Sequence, residues 1–292
     1  MMLLIGADSE IGAATLRHMT RAGQPALGTT RRAERASAGL ITLDLSRPLD
    51  EWTPPAGTRA ACIFSAVPRL AACAAAPDSS AHINVTQTLA LVDRLVAAGS
   101  HVLFLSTNQV FDGSFPHVPA DAARAPVSEY GSQKARTEAA LERLMTTGAP
   151  VSILRLSKIV SPDMPLIRGW TRVLRSGEAI RAFSDMTMAP VETALAAEAI
   201  ATLMNARTSG IFQLTGPVDV TYADVARHLA SQVGADPALV VPVPAASAGM
   251  PDGATPRHTT LESSALHRQF GIAAPGPWEV IDRIVRSAQS PS

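Results

Sequence analysis

Residues 1–12 read MMLLIGADSEIG, a short apolar run, a glycine turn and the start of an amphipathic stretch that continues to residue 22. An apolar run that leads into an amphipathic one predicts a strand followed by a helix. The same alternation predicts strands at residues 2–5, 25–29, 60–65, 102–106 and 151–156, and helices at 11–22, 83–98 and 130–146. Strands separated by helices pair in parallel and are buried on both faces. The sequence therefore predicts an α/β fold with a doubly wound parallel Rossmann sheet.

The rhythm changes after residue 157, where frequent prolines divide the chain into shorter pieces. We predict a Rossmann domain of residues 1–157, to which residues 190–216 return through a helix at 194–205 and a strand at 210–214. Residues 158–189 and 217–292 are predicted to form a smaller C-terminal lobe.

Composition excludes several classes of protein. Of 292 residues, 47% are hydrophobic and 17% charged, which is the opposite of a disordered chain. Lys plus Arg equals Asp plus Glu, at 25 each, so no basic field favours nucleic acid as a partner. The chain has no signal-peptide pattern and no long apolar run, and its cysteines, Cys62 and Cys73, form no disulfide or metal motif. We expect a cytoplasmic protein without a metal site that does not bind membranes.

The first turn resembles a dinucleotide-binding turn of the form GxxGxxG, with Gly6 and Gly12 in place and Ser9 where the middle glycine would stand. Glycine lets the backbone approach a pyrophosphate, and the following helix presents free N–H groups to that anion. The Ser9 hydroxyl could bond a phosphate oxygen. A tight strand-to-helix turn without a ligand is the alternative reading.

The second predicted strand ends in TTRR, where a protein that binds NAD would place an acid for the ribose 2′-hydroxyl. Arg31 and Arg32 suit the 2′-phosphate of NADP instead, with Thr29 and Thr30 as candidate hydroxyl donors. Asp44, at the end of the run ITLDLS, could accept from an adenine amino group. A solvated basic turn and a plain turn aspartate are the alternatives.

Tyr130 and Lys134 belong to YGSQK and are spaced four residues apart, so they share one face of a predicted helix. A neighbouring ammonium favours the phenolate, so the pair predicts a tyrosine able to exchange protons. Thr107 follows the fourth predicted strand, at the strand end where open α/β sheets bind ligands. An exposed pair on a helix and a threonine bonded to its own backbone are the alternatives.

The chain resembles an extended short-chain dehydrogenase/reductase and, within that superfamily, is similar to the dTDP-4-dehydrorhamnose reductase family. The resemblance covers nearly the whole length and rests on the first turn, STNQVFDG, YGSQK, DMTMAPV, GIFQLTG, TYADVA and the run RHTTLESSALHRQFGI followed by PWEV. It implies catalytic roles for Thr107, Tyr130 and Lys134. The residues implied to line the cofactor are Gly6, Ser9, Ile11, Gly12, Arg31, Arg32, Asp44, Ser65, Ala66 and Lys134. Thr30, the candidate hydroxyl donor at the strand end, is added to this set.

The expected activity is NADPH-dependent reduction of a keto group on a nucleotide-activated sugar or a similar small polar substrate, with the proton coming from Tyr130. NADP(H) is the favoured cofactor and NAD(H) is the alternative. The protein could also form a homodimer. Asn108 and Gln109 stand where the related 4,6-dehydratases have an acid pair, so dehydration is not expected. The alternatives are a sugar-nucleotide epimerase with bound NAD and a non-catalytic dinucleotide-binding regulatory subunit. The smaller lobe is predicted to bind the substrate.

Overall fold

The computed structural model describes residues 1–249 and 255–289, except for the side chains of residues 288 and 289. In chain order its strands are β1 (Met2–Ile5), β2 (Ala26–Thr30), β3 (Leu40–Thr42), β4 (Ala60–Ile63), β5 (His101–Thr107), β6 (Val151–Leu156), β7 (Ile159–Val160), β8 (Ile180–Phe183), β9 (Thr187–Met188), β10 (Val191–Glu192), β11 (Gly210–Leu214), β12 (Val220–Thr221) and β13 (Val240–Val243). Its α-helices are α1 (Glu10–Arg21), α2 (Leu70–Ala75), α3 (Pro77–Ala81), α4 (Thr88–Ala97), α5 (Glu129–Thr146), α6 (Pro165–Arg175), α7 (Thr193–Ala206), α8 (Tyr222–Gln232), α9 (Ser264–Phe270) and α10 (Pro277–Gln289).

Seven strands form one sheet in the order β11-β6-β5-β4-β1-β2-β3. The central strands pair in parallel, and β1, β4, β5 and β6 are buried along their whole length. Helix α1 packs against α7, and α4 packs against α5. The predicted doubly wound parallel Rossmann sheet is confirmed.

The helix predicted at residues 83–98 is divided in the structure. A π-helical turn, His82–Gln87, precedes α4. Within this turn Asn84 is buried, accepts a 2.7 Å hydrogen bond from the Val67 N–H and donates a 3.1 Å bond to the Val67 carbonyl. The wider turn therefore places the Asn84 side chain against the loop that follows β4. The spacing of apolar residues does not reveal this polar contact.

The chain divides into two compact units. Unit 1 consists of Met1–Phe111, Ala123–Leu156 and Thr193–Gln213. It contains the seven-stranded sheet except for Leu214, the last residue of β11. Unit 2 consists of Asp112–Ala122, Ser157–Glu192 and the described part of Leu214–Ser292. Residues 112–122, which the sequence analysis placed in the first domain, thus cluster with unit 2. Residues 250–254 and 290–292 of the predicted smaller lobe lie outside the described residues.

Unit 2 has its own core and short two-stranded sheets. Its strands pair as β7 with β10, β9 with β12, and β8 with β13. Ile167, Trp170 and Leu174 are the buried face of α6, and the ring of Trp170 lies edge-on to that of Tyr222 at a centroid distance of 6.5 Å. The helix spacing explains this face, because these three residues recur every three to four positions.

No helix in the described part of the chain is both long enough and apolar enough to cross a membrane.

Candidate active site

Glycines let the turn after β1 approach the segment after β4 and the start of α1 closely. Gly6 adopts a φ of +85°, and a Cβ at this position would lie 2.4 Å from the Ser65 hydroxyl oxygen, just beyond β4. A Cβ at Gly12 would lie 2.6 Å from the carbonyl oxygen of Gly6. The predicted residues Gly6, Gly12 and Ser65 are therefore brought together, with half-buried Ala66 next to Ser65 and half-buried Ile11 in the first turn of α1.

Ser9 is the N-cap of α1. Its hydroxyl donates a 2.8 Å hydrogen bond to the Gly6 carbonyl and accepts a 3.2 Å bond from the Gly12 N–H. A serine that caps a helix in this way stabilises the turn by about 1 kcal/mol. The hydroxyl proton that could have bonded a phosphate is directed at the Gly6 carbonyl, so the N–H groups of the first helical turn are the donors that remain for an anion.

The end of β2 is organised by two threonines. The Thr29 hydroxyl accepts a 3.0 Å bond from the Gly6 N–H and so holds the first turn. The Thr30 hydroxyl donates to Asp8 at 2.9 Å and accepts from the Arg32 N–H at 3.1 Å. Both threonines are buried, and their hydroxyls support the turn rather than facing outward as candidate phosphate donors.

Asp8 is a site residue that the sequence analysis did not identify. Its Oδ2 lies 3.3 Å from the Nε of Arg32, so the first turn contributes a carboxylate to the end of β2. The signal in the sequence is an acid two residues after Gly6, whereas the acid that binds the ribose in Rossmann proteins ordinarily follows the second strand.

Arg31 and Asp44 line the same depression, of about 600 Å³, together with Trp52 and residues of the 42–51 segment. The Asp44 carboxylate accepts from the N–H and the hydroxyl of Ser46, at 2.9 and 2.8 Å. Partial burial acts to raise the pKa of Asp44, but the hydrogen bonds from Ser46, together with the charges of Arg47 and Arg31, outweigh it and lower the pKa below its ordinary value. Asp44 is thus an ionised turn residue that also faces a depression containing Arg31.

Tyr130 and Lys134 lie in the first turns of α5, which begins after its N-cap, Ser128. The Lys134 Nζ lies 5.9 Å from the centroid of the Tyr130 ring and 4.3 Å from that of Phe104. It donates a 2.8 Å hydrogen bond to the Leu105 carbonyl on β5. The two predicted residues therefore share one helix face, next to the strand that ends at Thr107.

The electrostatics of this pair differ from the sequence expectation. Burial raises the pKa of Tyr130 well above its ordinary value, and Cys73 contributes in the same direction. Burial also lowers the pKa of Lys134 to about 8, partly offset by the carboxylate of Glu138. Lys134 therefore does not lower the pKa of Tyr130 as expected, because desolvation dominates, and Tyr130 is a protonated phenol at neutral pH.

Thr107 is 8% exposed and begins a 3₁₀ turn, Asn108–Val110, at the end of β5. Its hydroxyl accepts from the Gln109 N–H at 3.2 Å and is 3.4 Å from Asn108 Oδ1. The Gln109 side chain in turn accepts a 3.3 Å bond from Ser128, the N-cap of α5. The turn after β5 is therefore joined to the start of the helix that carries Tyr130.

A buried ion pair that the sequence analysis missed anchors the middle of α5. Glu138 and Arg155 are both fully buried, and the Arg155 Nη2 lies 2.7 Å from Glu138 Oε2. Arg124, from the loop before α5, is 3.2 Å from the same oxygen. Glu138 lies one turn beyond Lys134, so the spacing could have indicated a link between them, but its arginine partners are 14 and 17 residues away in sequence.

In the described ranges 1–249 and 255–289, no group of three or more His, Cys, Asp or Glu residues is arranged to hold a metal ion.

Comparison with known proteins identifies the family. Residues 1–289 match the family model described as RmlD substrate binding domain. The dTDP-4-keto-6-deoxy-D-glucose reductase of Streptomyces niveus is 32% identical over 181 residues, which are 61% of this chain and 61% of that protein. The chain thus spans about three fifths of the length of this curated relative.

Two solved structures align over almost the whole chain. A dTDP-4-dehydrorhamnose reductase from Clostridium acetobutylicum has a TM-score of 0.83 at 17% identity, with 99% of each chain covered. The dTDP-4-dehydrorhamnose reductase of Bacillus anthracis, in complex with NADP, has a TM-score of 0.82 at 16% identity, again with 99% of each chain covered. At these identities the structural likeness establishes the fold, and the family model establishes the membership. This chain belongs to the RmlD substrate binding domain family, within the extended short-chain dehydrogenase/reductase superfamily.

Proposed function

We propose that this chain is an NADP(H)-dependent reductase that acts on a keto group of a nucleotide-activated sugar. The observation that carries the proposal is the arrangement of Tyr130 and Lys134 on one face of α5, with the Lys134 ammonium bonded to the strand that ends at Thr107. A phenol, an ammonium and a hydroxyl at the carboxyl end of a parallel sheet are groups that bind and protonate a carbonyl oxygen.

The residues of the first turn fit a dinucleotide. Gly6 and Gly12 permit the tight turn, because a Cβ at either position would collide with Ser65 or with the Gly6 carbonyl. The N–H groups of Glu10 and Ile11, in the first turn of α1, have no helical carbonyl to bind. These groups would hold the pyrophosphate, while Arg31 and Arg32 would hold the 2′-phosphate. NADPH, when bound, supplies the hydride. The NADP complex of the Bacillus anthracis relative supports this choice of cofactor.

Tyr130 would donate the proton that reduction of a carbonyl to an alcohol requires. Burial raises the pKa of its phenol, so the O–H remains available as a donor at neutral pH. The Thr107 hydroxyl would orient the carbonyl, and Lys134 would bind the nicotinamide ribose and orient the phenol from the adjacent turn. The raised pKa keeps the phenol protonated and makes it a weaker acid, but a developing alkoxide is a stronger base than the phenolate and can still take the proton.

The substrate class rests on the family and on the Streptomyces niveus relative, whose name describes reduction of a dTDP-linked keto sugar. We place the substrate-binding residues in the predicted smaller lobe, residues 158–189 and 217–292. Arg168 and Arg172 on α6 are exposed, with Arg168 3.5 Å from Asp163, and their positive charges would suit an anionic substrate. Asn108 and Gln109 follow Thr107, and amides cannot perform the paired proton transfers of a dehydration, so net reduction is favoured.

The test is to mix the purified chain with dTDP-4-keto-6-deoxyglucose and NADPH and to follow the loss of NADPH absorbance and the sugar product. Net NADPH consumption with formation of the 4-hydroxy sugar is expected. Tightly retained NAD with sugar epimerisation and no net cofactor consumption would favour an epimerase. Cofactor binding without turnover of any keto sugar, together with a stable protein partner, would favour a regulatory subunit. Release of a 4-keto-6-deoxy product from dTDP-glucose would contradict the exclusion of dehydration.

A further inference from the structure

The end of β2 has no acid in its own sequence, yet the structure brings one there from the first turn. Asp8 Oδ2 accepts the 2.9 Å hydrogen bond from Thr30, the last residue of β2, and lies 3.3 Å from Arg32 Nε. The carboxylate therefore occupies the location at which Rossmann proteins that use NAD hold an acid for the ribose 2′-hydroxyl.

Asp8 is held in this position by buried structure. Thr30 is fully buried, and its one hydroxyl bonds both Asp8 and the Arg32 N–H. A Cβ at Gly28, on the same strand, would lie 2.6 Å from the Ala7 side chain, so the first turn rests directly on β2. Only glycine at residue 28 permits this approach, and the approach delivers the neighbouring Asp8 to the strand end.

We propose that Asp8 is a cofactor-specificity residue that lets the enzyme accept NADH and narrows its preference for NADPH. The inference rests on the proposed function, since it concerns the same dinucleotide site. Both contacts described above use Oδ2, and among contacts between described residues none reaches Oδ1, which can accept from a ribose 2′-hydroxyl. The same carboxylate repels a 2′-phosphate and occupies the Nε of Arg32. Exposed Arg31 is then the main partner of the phosphate.

The experiment compares equilibrium binding of NADH and NADPH to the wild type and to Asp8→Asn by isothermal titration calorimetry. The asparagine keeps an oxygen for Thr30 but removes the charge. The ratio of the NADH to the NADPH dissociation constant should rise about tenfold or more, because NADH loses a charge-assisted hydrogen bond and NADPH loses a repulsion. Thr30→Val keeps the shape of residue 30 and releases Asp8, so it should shift the ratio in the same direction by a smaller factor.

Glu34→Gln is the matched control. It removes one exposed negative charge from the segment that follows Arg31 and Arg32, and it should leave the ratio of the NADH to the NADPH dissociation constant unchanged. An unchanged ratio in folded Asp8→Asn, or an equal shift in Glu34→Gln, would overturn the role of Asp8 and leave the proposed reductase intact. Conversely, a shifted ratio in a protein that turns over no keto sugar would support Asp8 and contradict the proposed function. Wild-type protein that binds neither dinucleotide would overturn both.

Discussion

The ammonium of Lys134 donates a 2.8 Å hydrogen bond to the Leu105 carbonyl, two residues before the end of β5. Lys134 is 4% exposed, and burial lowers its pKa to about 8. The Leu105 carbonyl thus binds an ammonium group whose pKa lies close to neutral pH. The protonation of this one side chain should therefore control the proposed cofactor site at mildly alkaline pH.

Affinity for NADPH should fall as the pH rises through about 8, because Lys134 is charged below its pKa and neutral above it. Titrations of NADPH binding between about pH 6 and pH 10 test this dependence. Tyr130→Phe should show the same alkaline loss, since the phenol is still protonated in that range and does not cause the effect. Affinity that stays constant across the range would contradict the assignment to Lys134.

Tyr130→Phe should lower turnover by about 10²- to 10⁴-fold, the usual contribution of a general acid, while NADPH binding persists. The change removes the phenolic O–H and little volume. The matched control is Tyr222→Phe, the other tyrosine, which is buried in the core of unit 2 and should leave turnover nearly unchanged. Turnover of Tyr130→Phe at the wild-type rate would rule out the proposed proton donor. Lys134→Ala, by comparison, should weaken both binding and turnover.

Replacing Arg31 and Arg32 by alanine together should weaken NADPH binding by about 2 to 4 kcal/mol, because charge-assisted bonds to the 2′-phosphate are lost. NADH binding should change little. Arg31→Ala alone should account for most of the loss, since Arg32 already pairs with Asp8 at 3.3 Å. The control is Arg35→Ala, an exposed arginine of the same loop. A wild type with equal affinity for both cofactors would contradict the expected preference.

Apolar periodicity was sufficient to predict the Rossmann sheet, because β1 and β6 are buried runs whose bounds the structure reproduces. It could not predict β3, an edge strand of three residues, or the division of the helix before α4. Short edge strands and π turns depend on contacts with distant segments, and a local pattern contains no information about them.

The candidate site was predictable where spacing determines geometry, as for Tyr130 and Lys134. It was not predictable where the fold joins distant residues, as when Asp8 reaches Thr30 across 22 positions. The direction of the Tyr130 pKa was wrong for a related reason. The sequence reveals the neighbouring charge but not the extent of burial, and burial dominates.

Gly131→Ala should destabilise the fold by about 1 to 3 kcal/mol and also reduce turnover. A Cβ at this position would lie 2.2 Å from the Gln109 carbonyl oxygen, so the start of α5, with Tyr130, must move away from the turn after Thr107. Urea unfolding and kcat measurements test the two effects. Gly169→Ala is the matched control in α6, where the added Cβ meets nothing within 4 Å. It should be neutral or stabilising by up to about 1 kcal/mol. Equal stabilities of the two variants would contradict the steric argument.

His101 should make the fold sensitive to acid. The side chain is 2% exposed, Nε2 lies 2.9 Å from the Ser152 hydroxyl, and the buried Nδ1 has no hydrogen-bond partner among the described residues. Burial, and then the charge of Arg207, lower its pKa from 6.5 to about 4. The unfolded chain therefore binds a proton at a pH where the folded chain does not.

The contribution of neutral His101 to the free energy of unfolding is fully present above pH 6.5 and is lost as the pH falls toward 4. Its upper limit is about 3 kcal/mol, from 1.36 kcal/mol for each pKa unit. Free energies of unfolding in urea, measured at several pH values across this window, give the slope for the wild type. His101→Gln keeps a donor and an acceptor but does not titrate, so its slope should be flatter by about the contribution of one group. Parallel slopes for the two proteins would show that another group causes the loss of stability in acid.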